Sequence, residues 1–424
     1  MKKTMQEKLH ARQLKPVDPA LYWVLMRIVD VLKKKLDVHF DYKARPGEEE
    51  GPIVMVSNHA SRNDYLFTAP AALPKRLNYV VGYNEFFRFP LGLLLRLAQV
   101  IPKKNFTADS YTIRQILRVA KKGGSIFFMP EGMSSITGMA QPVMPGGGKL
   151  LKKLGLPVYY TRIAGGYLTY TKHCLDERPG RVEVTVDRMF TPDELKTLTP
   201  EAIEDRMNRL LAHDDYIWNR EKQVSFKVKG GMAKQLDTLL YRCPACGALY
   251  RMKTAGDELW CEACGNRVRL DDKYNLSPVG GGKAPALVTD WTIWEREKAA
   301  EEVRQEDFAH SGRVKIGRLR KDRMLFGGKT SEITGEGTLT LDRDGLHFEG
   351  TEAGKPLSFK IASAQLPTWG MCTDISRLYT FVDGEFLEFY FEDGDVLYWD
   401  HLTEELHRAQ GGKWQNTAYR HCED

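Results

Sequence analysis

Hydrophobic and polar positions alternate along the first 230 residues with two periods, one typical of strands and one typical of helices. Short apolar runs bounded by turn signals predict strands at residues 37–43, 52–58, 77–83, 124–130, 156–164 and 181–190. Segments with helical spacing lie between them, at residues 19–36, 85–98, 110–122, 146–155 and 199–218. Strands that alternate with helices of these lengths predict an α/β sheet with helices on both faces.

The pattern changes after residue 230, which predicts further modules. Residues 238–272 are short, contain paired cysteines and show little periodicity, and residues 273–290 read as a linker that begins with a Gly/Pro-rich stretch. A charged helix is predicted over 291–309, followed by strands separated by Asp-Gly and Gly-rich turns and by a last helix at 402–410. The region 291–424 therefore resembles PH-like or GRAM-like domains, which are antiparallel β domains with a closing helix.

The N-terminal segment 1–36 is basic and contains one amphipathic helix, whose role stays open. Asp18 and Pro19 form a cap and first-turn pair that starts the helix. Most of the following positions are apolar, and three lysines at 33–35 complement the negative end of the helix dipole. The helix either lies in a membrane surface or covers the core of the domain that follows, at residues 37–230.

Composition and charge narrow the class of protein. The chain has 424 residues, of which 28% are charged, and no apolar run approaches the ~18 residues of a membrane span. The start lacks the pattern of a secretory signal, so a cytoplasmic protein is expected. Residues 1–230 contain 37 Lys and Arg against 24 Asp and Glu, whereas residues 231–424 contain 25 against 32. The basic half favours an anionic partner: a lipid surface, a phosphorylated substrate or nucleic acid.

Candidate chemistry follows the ends of two predicted strands. The first strand runs into Asn58-His59-Ala-Ser-Arg-Asn-Asp64, whose spacing can bring the carboxylate of Asp64 against the imidazole of His59. Such a pair suits a general base that acts near neutral pH. The strand at 124–130 runs into Phe-Met-Pro-Glu131-Gly132-Met-Ser134-Ser, at the edge where an open α/β sheet places its ligands.

These two blocks resemble the glycerolipid acyltransferase family, that of the lysophosphatidate acyltransferases, which carries NH-x4-D and F-P-E-G-T-R-S. Two further blocks, at 100–105 and 156–160, match the family in the same order, so the resemblance covers residues 20–215. It implies a PlsC-like mixed sheet with helices on both faces. It also implies acyl transfer from acyl-CoA or acyl carrier protein to the hydroxyl of a lysophospholipid, with 1-acylglycerol 3-phosphate as the first expectation. The segment 85–98 would then line an acyl-chain tunnel, dip into lipid, or form a core helix, which is the interpretation we favour.

The resemblance also implies roles for individual residues. His59 would deprotonate the acceptor hydroxyl and Asp64 would orient and stabilise His59. The acceptor would contact a set of residues drawn from three blocks: Asn58, Lys103, Lys104, Glu131, Gly132 and Ser134. Glu131 has an alternative role as a carboxylate stabilised at a helix N-terminus.

The chain departs from the family where the acceptor's phosphate would bind. Met133-Ser134 replaces the family's Thr-Arg, and Lys103-Lys104 retains positive charge without the fork of an arginine. The acceptor therefore stays open: a lipid without the phosphate is an alternative, and so is a non-catalytic lipid-binding scaffold.

Four cysteines form a second candidate site. Two C-x-x-C pairs, each followed by glycine, have the spacing of a zinc ribbon, and their ligands would be Cys243, Cys246, Cys261 and Cys264. Four thiolates fill the shell of a structural zinc, which is expected rather than iron because no other redox feature is visible. A nucleic-acid-binding ribbon is the alternative, but the acidic balance of this half argues against a nucleic-acid partner. The expected location is the cytoplasm, with peripheral association at the inner face of the cell membrane.

Overall fold

The computed structural model describes residues 3–412. Twelve α-helices occur in this range: α1 (Met5–His10), α2 (Pro19–Lys33), α3 (Tyr65–Ala71), α4 (Leu91–Leu97), α5 (Ser110–Lys121), α6 (Gly147–Leu154), α7 (Gly166–Thr169), α8 (Pro192–Thr197), α9 (Pro200–Leu211), α10 (Asp215–Lys222), α11 (Val288–Glu302) and α12 (Val396–Ala409). No helix within the described range has the length and apolarity needed to cross a bilayer.

Eighteen strands accompany these helices within the same range. They are β1 (Asp37–Tyr42), β2 (Val54–Ser57), β3 (Leu77–Gly82), β4 (Ile101–Lys103), β5 (Ser125–Phe128), β6 (Val158–Ala164), β7 (Arg181–Phe190), β8 (Met252–Ala255), β9 (Glu258–Cys261), β10 (Arg267–Leu270), β11 (Leu276–Val279), β12 (Ala309–Arg318), β13 (Glu332–Asp342), β14 (Gly345–Glu352), β15 (Lys355–Ile361), β16 (Gly370–Met371), β17 (Leu378–Val382) and β18 (Glu385–Phe391).

The first seven strands form one mixed sheet, which confirms the predicted α/β class. Their order is β1-β7-β6-β2-β5-β3-β4, with β6, β2, β5, β3 and β4 parallel and the β6–β7 pair antiparallel. Strands β2 and β5 are wholly buried, as their continuous apolar runs require. In their pairing Val56 lies opposite Phe128, so the residues that follow both strands meet at one edge of the sheet.

Two predicted helices are each broken. The segment 85–98 begins as a short 3₁₀ turn, and α4 starts only at Leu91, because Pro90 lacks the N–H that a helix interior needs. The segment 199–218 divides into α9 and α10. The side chain of Asp214 accepts hydrogen bonds from the backbone N–H groups of Tyr216 and Ile217 at 2.8 and 3.1 Å, so it caps a new helix.

Helix α2 has an apolar face on each side. Tyr22, Met26 and Val29 are buried against the domain core, as expected for a cover helix. On the outer side Trp23 and Val31 are 59% and 62% exposed, and other apolar residues of the helix are exposed with them. The helix therefore covers the core and also presents an unpaired apolar surface.

The cysteine-rich region forms a four-stranded antiparallel sheet in the order β11-β10-β9-β8. Strand β11 occupies residues 276–279, inside the predicted linker 273–290, and pairs with β10. Helix α11 begins at Val288, so it also takes up the end of that range. The stretch without secondary structure is therefore shorter than predicted, because residues 276–279 pair with β10 and extend the ribbon sheet.

The last seven strands form an antiparallel sheet in the order β15-β14-β13-β12-β18-β17-β16, and α12 closes it with a buried Trp399. This confirms an antiparallel β domain with a closing helix, while the likeness to PH or GRAM domains stays a prediction. Residues 413–424 of the predicted domain lie outside the described range, as do residues 1 and 2 of the N-terminal segment.

The three units share one hydrophobic core. It runs from Met133 in the first unit through Leu259 of the ribbon to Trp399 of the C-terminal domain. Direct hydrogen bonds also join the first and last units, including Asn105 Nδ2 to the hydroxyl of Tyr379 at 3.3 Å. The C-terminal domain is thus placed against the strand ends of the mixed sheet.

Candidate active site

His59 and Asp64 form a hydrogen-bonded pair at the edge of the mixed sheet. His59 follows β2, Asp64 precedes α3, and His59 Nδ1 lies 2.9 Å from Asp64 Oδ2. The side chain of His59 is 23% exposed, whereas that of Asp64 is 1% exposed. Because a carboxylate only accepts, Nδ1 carries the proton and Nε2 is left as the basic nitrogen.

Asp64 is itself held in place. Its other oxygen, Oδ1, accepts hydrogen bonds from the backbone N–H and the hydroxyl of Ser61, at 2.9 and 2.7 Å. Both carboxylate oxygens therefore have defined donors, and the orientation of the imidazole is fixed by the loop that carries it.

Glu131 supports this loop from behind and does not line the cavity. Its Oε1 accepts the backbone N–H of His59 and its Oε2 accepts that of Gln141, both at 2.8 Å. The side chain is fully buried, and burial raises the pKa of Glu131 to about 8, against the two N–H donors that lower it. The predicted contact between Glu131 and an acceptor phosphate is therefore not what this geometry offers. Glu131 is a positioning residue for His59.

Two other predicted contact residues, Asn58 and Lys104, do not line the cavity and form hydrogen bonds with other parts of the chain. Asn58 exchanges two hydrogen bonds with the backbone of Ile163, at 2.9 and 2.8 Å, and so ties the His59 loop to β6. The ammonium of Lys104 donates to the backbone oxygen of Gly384 and lies over the ring of Phe381. Asn58 fastens the sheet edge, and Lys104 fastens the C-terminal domain.

A cavity of about 740 Å³ opens in front of His59. Three predicted site residues line it with the His59–Asp64 pair: Lys103, Gly132 and Ser134. The apolar part of the lining, here called the apolar wall, consists of Val80, Leu91, Leu95, Ile116, Phe128, Met144 and Leu150. The C-terminal domain contributes Met371, Cys372, Thr373 and Tyr379. The cavity is therefore shaped by two units of the chain.

Helix α4 joins this cavity to the protein surface. Leu91 and Leu95 face the cavity, while Leu93, Leu94 and Leu97 are exposed, Leu97 by 55%. The core interpretation favoured from the sequence holds for the first part of the segment, where Phe86 and Phe87 are buried in a hydrophobic cluster, and does not hold for the exposed leucines of α4. The structure instead supports the alternatives of a tunnel lining and a lipid contact.

Lys103 and Gly132 both line the cavity, one with a titratable side chain and the other with bare backbone. Burial lowers the pKa of Lys103, with Asp109 acting in the opposite direction. Gly132 has a φ of +81°, which a residue with a side chain rarely adopts, and an added Cβ would meet Met144 and Phe106 at 3.3 Å. Glycine thus allows the turn after β5 to pass close beneath the cavity.

Lys172 is a cavity residue that the sequence analysis missed. It follows β6 and α7, is 4% exposed, and donates from Nζ to the hydroxyl of Ser134 at 3.0 Å. Burial lowers its pKa to about 8. The signal that could have revealed it is its position beyond β6, whose C-terminal end lies at the same sheet edge as those of β2 and β5.

The four ribbon cysteines come together as predicted. Their sulfur atoms all lie within 4.8 Å of one another, and the Cys243–Cys264 and Cys246–Cys261 pairs are 3.7 and 3.9 Å apart. A tetrahedron with Zn–S bonds of about 2.3 Å has edges of about 3.8 Å, so the donor set fits zinc. The two C-x-x-C turns repeat one geometry, since each following glycine donates to the first cysteine's carbonyl and has φ of +76°.

Comparisons with known proteins find acyltransferases. A family model described as Acyltransferase matches residues 35–163. A 1-acyl-sn-glycerol-3-phosphate acyltransferase of Cocos nucifera is 31% identical over 143 residues, which is 33% of this chain and 45% of the relative. A chloroplastic 1-acyl-sn-glycerol-3-phosphate acyltransferase of Brassica napus is 29% identical over 116 residues, 27% of this chain and 33% of the relative. The chain thus spans less than half the length of either relative.

Similar solved structures include the crystal structure of PlsC, the 1-acyl-sn-glycerophosphate acyltransferase of Thermotoga maritima, with 16% identity and a TM-score of 0.39. The similarity covers 48% of this chain and 78% of that protein.

Proposed function

We propose, from the acyltransferase match over residues 35–163, that this chain is an O-acyltransferase of the 1-acylglycerol-3-phosphate type. It moves a fatty acyl group from the thioester of acyl-CoA or acyl carrier protein to the free hydroxyl of a lysophospholipid. The printed names of the Cocos nucifera and Brassica napus relatives favour 1-acylglycerol 3-phosphate as the acceptor. The observation that carries the proposal is the His59–Asp64 pair, joined at 2.9 Å beside a cavity with an apolar wall.

The proposed reaction is a direct transfer. Nε2 of His59 takes the proton of the acceptor hydroxyl as its oxygen attacks the thioester carbonyl. The tetrahedral adduct then collapses, the C–S bond breaks, and the imidazolium returns the proton to the departing thiolate. Asp64 holds the neutral tautomer and stabilises the imidazolium in between. Each turnover consumes one acceptor and one thioester and yields one ester and one free thiol.

The apolar wall fits the acyl chains of this reaction. Leu91 and Leu95 line the cavity on one side of α4, and Leu94 and Leu97 are exposed on the other. A chain held along this helix would contact leucine side chains both at the protein surface and in the cavity that contains His59. Burial of each methylene contributes about 0.8 kcal/mol to binding.

The direct test is an acceptor and donor screen on the purified full chain. Acyl-CoA and acyl carrier protein are each combined with 1-acylglycerol 3-phosphate, lysophospholipids with larger head groups and monoacylglycerol, and products are identified by mass spectrometry. We expect phosphatidate from 1-acylglycerol 3-phosphate together with one free thiol per ester. Ester formation with a phosphate-free acceptor alone would favour the different-acceptor alternative. Lipid binding without any ester would favour the scaffold.

We further propose peripheral attachment to the inner face of the cell membrane. The exposed apolar residues Trp23, Ile28 and Val31 on α2, together with those on α4, support contact with acyl chains. The lysines that end α2 and the excess of positive charge in residues 1–230 support attraction to anionic lipid.

We also propose a structural zinc bound by Cys243, Cys246, Cys261 and Cys264. The tetrahedral spacing of the four sulfur atoms supports it. Zinc bound there would tie the two turns of the ribbon together, and four thiolates leave no open position for substrate. The ribbon shares its hydrophobic core with the C-terminal domain, which contributes to the cavity lining. A stable ribbon therefore also supports that domain.

A further inference from the structure

Lys172 is 4% exposed, which is the lowest exposure of any lysine among residues 3–412. It lies beyond β6 and lines the cavity in front of His59. One hydrogen bond of its ammonium is present, the 3.0 Å donation to Ser134 Oγ. An ammonium has three donors, so the group has capacity for further acceptors on its cavity side.

No ion pair balances this charge within the described part of the chain. The groups that act on Lys172 come from three other segments: Arg62 from the loop before α3, Cys372 and Asp374 from the turn after β16, and Asp400 from α12. Arg62 carries positive charge and donates to the backbone oxygens of the 171–175 loop. Arg62 therefore adds positive charge near Lys172, which favours the binding of an anion.

The nearby acidic groups offset the charge of Lys172 only in part. Burial raises the pKa of Asp400 well above its usual range and raises the pKa of Cys372 to about 11, which favours the neutral form of both groups. Burial acts to raise the pKa of Asp374, but hydrogen bonds from Cys372 and Ser376 lower it, so this carboxylate favours its charged form without forming an ion pair with Lys172. A buried ammonium without an anion in contact is costly, and this one faces a cavity that can admit a charged ligand.

We propose that Lys172 and Ser134 form the anion subsite of the cavity and bind the phosphate of the acceptor lipid. This inference rests on the proposed acyl transfer and assigns its substrate contact to a residue outside the family-model match at 35–163. The ammonium supplies the charge and the Ser134 hydroxyl supplies a second donor. Met371, Cys372 and Thr373 of the C-terminal domain line the same cavity as these two residues.

The experiment compares Lys172→Met and Lys172→Arg with the wild-type full chain. kcat/KM is measured for 1-acylglycerol 3-phosphate and for 1-acylglycerol, which serves as the phosphate-free control within each variant. We expect Lys172→Met to lose about 10- to 100-fold on the phosphate acceptor with little change on the control, and Lys172→Arg to recover most of it. Equal losses on both acceptors would overturn the subsite and make Lys172 a structural residue.

The acyl donor also carries phosphate. A second set of assays therefore distinguishes binding of the donor's phosphate from binding of the acceptor's phosphate. Acyl-CoA and acyl carrier protein are compared as donors at saturating acceptor. A KM change confined to acyl-CoA would overturn the assignment to the acceptor, whereas a change confined to the lipid phosphate supports it. Lys103→Met tests the other cavity lysine in the same assay. A larger phosphate-specific loss in Lys103→Met than in Lys172→Met would also overturn the proposal.

Direct binding separates this inference from the proposed function. The His59→Ala variant, with and without Lys172→Met, is titrated with 1-hexanoylglycerol 3-phosphate, 1-hexanoylglycerol and inorganic phosphate. Lys172-dependent binding of the phosphorylated lipid supports the subsite even if no acylation is ever detected. If Lys172→Met fails to fold, mass spectrometry of acetylated wild-type protein replaces it. We then expect 1-hexanoylglycerol 3-phosphate to protect Lys172, and equal labelling with and without the lipid would overturn the proposal.

Discussion

Replacing Glu131 with glutamine should separate a positioning role from a contact with the acceptor. The carboxylate accepts one backbone N–H on each oxygen, from His59 and from Gln141. A glutamine amide has one acceptor oxygen, so one of these two buried N–H groups loses its partner. An unsatisfied buried donor costs about 1–3 kcal/mol, which we expect as the loss in free energy of unfolding.

The effect on turnover follows from the displacement of His59. The amide group of glutamine repels one N–H, and the loop that carries the base must shift to relieve the contact. A misplacement of about 1 Å costs roughly 10²-fold in rate, so kcat should fall by about that factor. Because Glu131 does not line the cavity, the loss should be the same for 1-acylglycerol 3-phosphate and for 1-acylglycerol.

Urea unfolding and steady-state kinetics measure the two effects, with Asp215→Asn as the matched control. Asp215 is a buried carboxylate that accepts backbone N–H groups of Gly165, Tyr167 and Leu168, lies 2.6 Å from Nε2 of His213, and does not line the cavity. It should lose comparable stability with a much smaller change in kcat. A loss in Glu131→Gln confined to KM for the phosphate acceptor would refute the positioning role.

Three further predictions concern the metal, the membrane and the pH profile. Purified protein should contain about one zinc per chain by elemental analysis, and Cys243→Ser should lower both zinc content and thermal stability; protein isolated without chelator that contains no zinc would contradict the metal site. Trp23→Asp combined with Ile28→Asp should reduce co-sedimentation with anionic vesicles several-fold without lowering stability, because both side chains are exposed; unchanged sedimentation would exclude this face of α2. KM for 1-acylglycerol 3-phosphate should rise above about pH 8, because the lowered pKa of Lys172 leaves it neutral there. Lys172→Arg should remove that rise, and a rise of equal size with 1-acylglycerol would contradict the assignment.

Local sequence carried enough information to bring His59 and Asp64 together. Their five-residue spacing across a strand end, and the continuous apolar runs of β2 and β5, fix both the loop and the edge of the sheet at which it lies. The four cysteines are similar, because ligand spacing within two short turns determines the cluster. In both cases residues close in the sequence make the defining contacts, although Glu131 and Ile163 hold the His59 loop from distant parts of the chain.

The breaks in the predicted helices show where local periodicity was misleading. Apolar spacing continues through Pro90, but its ring and missing N–H end the helix there. Helical spacing of large apolar residues also continues from Leu211 to Trp218, yet the cap at Asp214 between them starts a new helix. The periodicity of these segments reports which face is apolar and does not report where the backbone turns.

The cavity wall depended on contacts between distant parts of the chain. Lys172 meets Ser134 across 38 residues, and Tyr379 meets Asn105 across 274. Neither contact leaves a periodic trace in the sequence. Glu131 was placed on the correct turn but assigned to the acceptor, because a motif identifies a residue and does not say which way its side chain points.

The rate of acyl transfer in His59→Ala, measured against the wild type with the same acyl thioester and 1-acylglycerol 3-phosphate, tests the central claim most directly. Mass spectrometry of the ester product follows the rate, and circular dichroism shows that the variant is folded. The account predicts a loss of about 10²–10⁴-fold, the usual contribution of a general base. A folded His59→Ala protein that makes phosphatidate at close to the wild-type rate would contradict the claim that His59 is the base.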